Sequence, residues 1–144
     1  LTMCVNRYGY KNKKFGFLKN ISIESDPLQM KELFSNILNN SFDSFLEGKG
    51  KIEITGELVD FEFIKISIKD NGIGIEAQDL NRVFEPFFTT KAKGVGLGLN
   101  VCYQVIQLHE GTIDIKSEKT KGTTVTVTLP TRARSQIQSN KPAL

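Results

Sequence analysis

Four segments of this 144-residue chain bring together side chains whose types and spacing could do chemistry. The first spans Asn36 to Asp43, where three asparagines, Asn36, Asn39 and Asn40, occupy a stretch with helical apolar spacing. Asparagine is a poor helix former because its side chain competes for backbone hydrogen bonds. Something other than helix stability therefore selects them. At about 100° per residue, Asn36, Asn40 and Asp43 fall on one side of a helix, beside its apolar stripe rather than opposite it. Such a row of amide and carboxylate oxygens suits a hard cation like Mg²⁺, which takes one or two protein oxygens together with substrate phosphates. Taken alone, the same row also reads as a solvated helix face.

The second segment is Asp70-Asn71-Gly72-Ile73-Gly74-Ile75. Asn-Gly after a strand is a turn signal, yet no strand follows, because Glu76 to Val83 has helical spacing. Gly72 and Gly74 would let a flat ligand lie against bare backbone, and an acceptor-only carboxylate at Asp70 could take a hydrogen bond from an exocyclic amine such as that of adenine. Turn and ligand site both remain open. The third segment is Phe84-Glu85-Pro86-Phe87-Phe88-Thr89-Thr90-Lys91. Pro86 keeps its three phenylalanines off any single helix stripe or strand face, so they read as anchors for a loop, compatible with a lid. The fourth, Gly94-Val95-Gly96-Leu97-Gly98-Leu99, leads into a helix. Glycines there leave backbone N–H groups free near the positive end of the helix dipole, a ready phosphate site. The spacing fits neither the dinucleotide fingerprint inside a βαβ unit nor the P-loop with its Gly-Lys-Ser/Thr.

These segments need elements to hold them. Asp26-Pro27 is an N-cap followed by a residue pre-shaped for the first helical turn. Met30, Leu33, Phe34, Ile37, Leu38, Ser41, Phe42 and Phe45 then recur every three or four residues until Gly48 and Gly50, which predicts an amphipathic helix over 27–47. Ile52 to Thr55 and Phe61 to Lys69 read as two strands joined by a turn near Leu58 to Asp60. A second helix is expected over 97–109, with Val101/Cys102, Val105/Ile106 and Leu108/His109 on one face and Gly111 as its C-cap. Thr112 to Lys116 and Thr123 to Leu129 follow as strands, the latter alternating Val125, Val127 and Leu129 with threonines. At the N-terminus, Leu1, Cys4, Val5 and Tyr8 have helical spacing and Phe15 to Ile23 alternates like a strand. Paired strands with helices in separate blocks favour an α+β layer.

Composition bounds the alternatives. A chain of this length is one domain, here a folded unit over 1–130 and a mobile polar tail over 131–144 that loses all periodicity after Pro130. The formal net charge of +3, carried partly by Lys11, Lys13, Lys14, Arg132, Arg134 and Lys141, is too weak for a nucleic-acid footprint. Cys4 and Cys102 have no close-spaced Cys or His partner and read as reduced thiols. No apolar run approaches the ~20 residues of a membrane span, and the first residues lack a signal-peptide pattern. The chain opens on Leu1 rather than Met, as a piece of a longer protein would.

In their order and spacing, NILNNSFDS, DNGIGI, FEPFFTTK and GVGLGL, followed by EGTIDIKS and KGTTVTVTLP, resemble the N, G1, F and G2 boxes of the histidine-kinase ATP-binding domain. The family also holds gyrase-type, mismatch-repair and heat-shock chaperone ATPases. The resemblance spans about residues 26 to 130. It implies a Bergerat-type two-layer α/β sandwich, with a mixed sheet of about five strands covered on one face by three helices.

The resemblance also implies roles. Asn40 stands where the family's metal-binding asparagine holds Mg²⁺, and Asp43 where a polar residue approaches phosphates or ribose. Asp70 matches the aspartate that binds the adenine amine, with Gly72 and Gly74 making room for the ring, and Thr123 matches the threonine that holds the base through water. Phe84 to Gly98 corresponds to the ATP lid, in which Gly94, Gly96 and Gly98 contact phosphates and Lys91 or Lys93 neutralises them; Ile75, Thr90, Val95, Leu97 and Leu99 complete the ATP contacts. Hydrolytic relatives carry a glutamate one turn before the metal-binding asparagine, to activate water. Here that place is Asn36, no base near neutral pH, so Asn36 and Asn40 mark a site built for transfer rather than hydrolysis. The acceptor histidine is absent, since His109, the one histidine, reads as structural. The implied protein is the cytoplasmic catalytic domain of a sensor kinase, itself monomeric, whose partners are a histidine-bearing dimerisation domain and a response regulator. The alternatives are an anti-sigma-factor-type serine kinase and a nucleotide-sensing module that transfers nothing.

Overall fold

The computed structural model describes residues 2–3, 21–60, 62–91 and 94–131. Most of the N-terminal reading, from Leu1, Cys4, Val5 and Tyr8 to the start of the expected strand at Phe15, lies outside these residues, as do Phe61, Lys93 and the tail from 132. Two short strands, β1 (Thr2–Met3) and β2 (Ile21–Ser22), pair antiparallel. Thr2 and Met3 are thus extended rather than part of a helix.

The Asp26 side chain caps α1 (Pro27–Asp43) by accepting from the N–H groups of Leu28 and Gln29 at 2.8 and 3.3 Å. The helix buries Met30, Leu33, Ile37 and Ser41. It stops four residues short of the expected end: the Ser44 hydroxyl donates back to the Ser41 carbonyl at 2.7 Å, and the chain then makes a 3₁₀ turn at Leu46–Gly48. Two hairpins follow, β3 (Ile52–Val59) with β4 (Phe63–Asp70), and β5 (Thr112–Glu118) with β6 (Gly122–Pro130). They join through β4 and β6 into an antiparallel sheet in the order β3-β4-β6-β5.

Register puts Ile64, Ile66, Ile68 and Asp70 of β4 on the same face as Val125, Val127 and Leu129 of β6 and Ile113 and Ile115 of β5. That face packs on α1 and α2 (Gly98–Leu108), whose Cys102, Val105 and Ile106 complete the core. Lys65, Ser67 and Lys69 share the opposite face with Thr124, Thr126 and Thr128, the pattern of a sheet wet on one side. The two-layer α+β class therefore holds. Among the described residues the main sheet has four strands, all antiparallel, rather than five in a mixed sheet, and two α-helices cover it rather than three.

The helical spacing of Glu76–Val83 does not become an α-helix. Asp79, Arg82 and Glu85 each donate to the carbonyl three residues back, which gives successive 3₁₀-type turns with a 3₁₀ helix at Leu80–Arg82. Pro86 disfavours α geometry in the residue before it, so the stretch has no room to become an α-helix. Leu108 is 71% exposed and not on the buried face. At the end of α2 the left-handed position is taken by Glu110 (φ 55°), while Gly111 donates to the Ile106 carbonyl at 2.9 Å and lies where a side chain would strike the Thr128 carbonyl. His109 braces both helix ends. Its Nε2 accepts from the Asp26 N–H at 3.2 Å and its Nδ1, 2.8 Å from the Val105 carbonyl, is thereby the protonated nitrogen.

Candidate functional site

A cavity of about 520 Å³ opens between the helix layer and one end of the sheet, large enough for a small cofactor. Its buried wall is built around Asp70, the last residue of β4, which is 4% exposed. Oδ1 accepts from the Gly72 N–H at 2.9 Å and the Thr123 N–H at 3.1 Å, and Oδ2 accepts from the Ser41 hydroxyl at 3.0 Å. Burying a carboxylate without partners would cost several kcal/mol; donors from the loop after β4, from β6 and from α1 offset that cost.

A second polar cluster fixes Thr123. The Ser117 hydroxyl donates to the Gly122 carbonyl at 2.9 Å and accepts from the Ile75 N–H at 2.8 Å. Its single proton is then used, so the Thr123 hydroxyl, 2.8 Å away, must be the donor between the two. The Thr123 oxygen is left as an acceptor in the cavity wall.

The exposed part of the cavity is charged. Lys91 Nζ donates to Asn40 Oδ1 at 3.0 Å and to Asp43 Oδ2 at 2.8 Å, with the Lys91 and Asp43 side chains 40% and 59% exposed. An amide oxygen and a carboxylate oxygen one helical turn apart thus already converge on a cation, which is the donor set a hard divalent ion asks for. Close by, α2 begins at Gly98 with no side chain capping its first N–H groups.

Residues 88–91 and 94–97 of the loop before α2 line this space. Phe84 packs against Tyr103 at a centroid distance of 5.6 Å, its carbonyl accepts from Asn100 Nδ2 at 3.0 Å, and Phe88 carries the Arg82 guanidinium at 4.5 Å over its ring. Those two are anchors. Phe87 is not: it is 72% exposed and held at φ 65°, a conformation that costs a non-glycine residue energy, while its N–H donates to the Gly96 carbonyl at 2.9 Å.

The family described as histidine kinase-, DNA gyrase B-, and HSP90-like ATPase matches residues 25–133. The chain belongs to that family. Sporulation kinase E of Bacillus subtilis (strain 168) is 42% identical over 118 residues, 82% of this chain and 16% of that kinase. The sensor histidine kinase ZraS of Escherichia coli (strain K12) is 38% identical over 108 residues, 75% of this chain and 23% of that one. The chain therefore spans a minor part of the length of these relatives. Among solved structures, the mycobacterial sensor histidine kinase MprB superposes with a TM-score of 0.69 at 28% identity, covering 77% of this chain and 76% of that one. The nucleotide-free catalytic domain of histidine kinase ThkA gives 0.67 at 31% identity, with 76% and 72% covered.

Within this ATPase-family fold, Asn40, Asp43, Asp70, Gly74, Ile75 and Thr123 all line the cavity. From the lid and the start of α2, Thr90, Lys91, Gly94, Val95, Gly96, Leu97, Gly98 and Leu99 do so too. Two expected residues stand apart. Gly72 is buried behind Asp70, where a side chain would collide with Ser44 Oγ, so its bareness makes room for the end of α1 and not for a ring. Gly74 (φ 69°) is crowded by the Glu118 carbonyl in the same way, although it still faces the cavity. Asn36 lies one turn before Asn40 and beside Gly98, outside the lining. Sequence reasoning missed Ser41, Ser44 and Ser117. Ser41 did carry a signal, a hydroxyl on the buried stripe of α1, whereas nothing local marks Ser117.

Burial raises the Cys102 thiol to about 12, and its Sγ lies 3.6 Å from the Leu33 carbonyl. It takes no part in the site. No helix among the described residues is long and apolar enough to cross a membrane.

Proposed function

We propose that this chain holds Mg·ATP and presents the γ-phosphoryl group to a histidine on a separate dimerisation domain of the same kinase, from which a response regulator is then supplied. One observation carries the choice of transfer over hydrolysis. The residue a turn before Asn40 is an asparagine, whose amide cannot take a proton from water near neutral pH, and its side chain packs toward Gly98 outside the cavity lining. An imidazole acceptor needs no such base, because its neutral nitrogen is already nucleophilic. That nitrogen forms the new bond to phosphorus, the bond from phosphorus to the bridging oxygen breaks, ADP leaves with the electron pair, and the imidazole proton passes to solvent.

The chain's own residues bind and orient. Asp70 accepts from the adenine amine, and Thr123, its proton committed to Ser117, accepts from the base or a water upon it. Asn40 and Asp43 would hold Mg²⁺, which would neutralise charge on the phosphates. Lys91 exchanges its present oxygens for phosphate oxygens, and the uncapped start of α2 takes a second phosphate. ATP supply puts this domain in the cytoplasm, as a monomer that docks on its dimeric partner. Sensor histidine kinases among its relatives and structural neighbours support transfer to histidine over transfer to a hydroxyl.

The test mixes the chain with Mg·[γ-³²P]ATP and the histidine-bearing hairpin of its kinase. Acid-labile, alkali-stable label on the hairpin is expected. Acid-stable label would point to a hydroxyl acceptor, and an unlabelled hairpin beside tight ATP binding would overturn transfer altogether.

A further inference from the structure

We infer that Ser41 is a positioning residue that sets the nucleobase preference of the site by fixing the free edge of the Asp70 carboxylate. The inference rests on the assignment of Asp70 to the exocyclic amine. A carboxylate offers about four lone-pair directions. On Asp70, Oδ1 spends both of its own on the Gly72 and Thr123 N–H groups, and Oδ2 spends one on the Ser41 hydroxyl. One acceptor direction on Oδ2 is left for a ligand. It matches a single N–H, as a 6-amino purine provides, and opposes the carbonyl of a 6-oxo purine.

Ser41 and Asp70 are 3% and 4% exposed, and they come from α1 and the end of β4, 29 residues apart. Both line the cavity. The two backbone donors hold only Oδ1, so the direction of the remaining Oδ2 lone pair depends on Ser41, the one side chain among the described residues that grips Oδ2. Hydrogen-bond strength falls steeply with misalignment, and a binding group must be held within about 10–20° by its supporting shell. Without the hydroxyl, water takes its place on Oδ2 and competes for the edge that should meet the amine. The Ser41 proton, already given to Asp70, is also withheld from any 6-oxo group.

Calorimetric titration of the 144-residue chain tests this with two ligands, Mg·ATP and the Mg²⁺ complex of purine riboside triphosphate, which lacks the 6-amino group. Ser41→Ala should weaken ATP about tenfold, the size of one hydrogen bond to a charged group, while purine riboside triphosphate stays within about twofold. Ser41→Thr, which keeps the hydroxyl, should restore the ATP preference. If Ser41→Thr proves too bulky to fold, as a thermal melt would show, the two-ligand comparison with Ser41→Ala still decides. Asp70→Asn serves as the control. Equal weakening of both nucleotides by Ser41→Ala, or unchanged ATP affinity in it while Asp70→Asn is impaired, would overturn the role of Ser41. Unchanged ATP affinity in Asp70→Asn would instead overturn the adenine assignment beneath it.

Discussion

Asp70 was legible as a candidate site residue because it ends an apolar strand and opens a glycine turn, two facts local to the chain. Its supporting donors were not. Ser41 stands 29 positions earlier and the Thr123 N–H 53 positions later, and only the packing of α1 on the sheet and the pairing of β4 with β6 brings them to one carboxylate. Cys102 makes the converse case, since its burial follows directly from the helical stripe. Desolvation holds its thiol near 12 in the folded chain against 9.0 when unperturbed. Between those values the unfolded chain has lost the proton and the folded chain keeps it, so stability falls with rising pH, by up to about 1.4 kcal/mol per unit. Below pH 9 this thiol adds no slope. In a Cys4→Ser background, Cys102 should resist a thiol reagent at pH 7.5 until denaturant is added. Urea midpoints should also fall more between pH 8 and 10.5 than in the corresponding Cys102→Ala variant; equal falls would show that the thiol ionises within the fold.

Elements with strong periodicity came out where the spacing put them. Ile64, Ile66 and Ile68 alternate with Lys65, Ser67 and Lys69, and the strand has no other way to bury its apolar side. The segments between elements were harder, because they are set by contacts rather than by period: 3₁₀ turns run from Glu76 toward Pro86, and Phe87 points outward from a left-handed backbone. The glycines of the lid separate in the same way. Gly96 has φ 76°, and a Cβ there would stand 2.5 Å from the Phe87 carbonyl carbon, so Gly96→Ala must displace the lid. At Gly98 a Cβ would meet the Asn36 side chain, nearest at Oδ1 at 3.6 Å, an ordinary contact, and alanine in a helix is favoured over glycine by up to ~1 kcal/mol. Gly98→Ala should therefore melt at or above the parent temperature, and if the start of α2 takes a phosphate as proposed, the added methyl at its first residue should weaken ATP binding. Gly96→Ala should be cut faster by protease between 87 and 96. Similar melting and similar proteolysis in the two variants would contradict this division.

At the scale of the molecule, the site is a seam. Its groups come from α1, from the end of β4 and the loops after it, from the start of α2, from β5 and from β6, and none of these elements forms the cavity alone. Pairing of Lys69 with Thr124 is what sets Asp70 beside Thr123. The layered fold could be expected from hairpins and helix blocks, but the closeness of Lys91 to Asn40 and Asp43 could not, because it depends on the path of a loop 48 to 51 residues away in the chain. A ligand bound across such a seam stabilises every element it touches, and the gain follows from mass action. At a free concentration one hundred times its Kd, Mg·ATP should add about 2.7 kcal/mol. For a domain of this size that raises Tm by about 5–10 °C. On the proposed assignment, the share of this shift that depends on Mg²⁺ belongs to Asn40 and Asp43, so Asn40→Ala should respond to ATP equally with Mg²⁺ and with EDTA, while Asp70→Asn should lose most of the shift in both. On the same assignment, Mg²⁺ in the unmodified chain must also displace the Lys91 ammonium from the two oxygens it now holds. Lys91→Met should therefore reach its half-maximal shift at lower Mg²⁺, by about twofold to fivefold, the worth of an exposed ion pair of up to ~1 kcal/mol. A Mg²⁺-dependent shift that survives intact in Asn40→Ala would place the metal elsewhere, and a higher Mg²⁺ requirement in Lys91→Met would mean that the lysine aids the metal instead of competing with it.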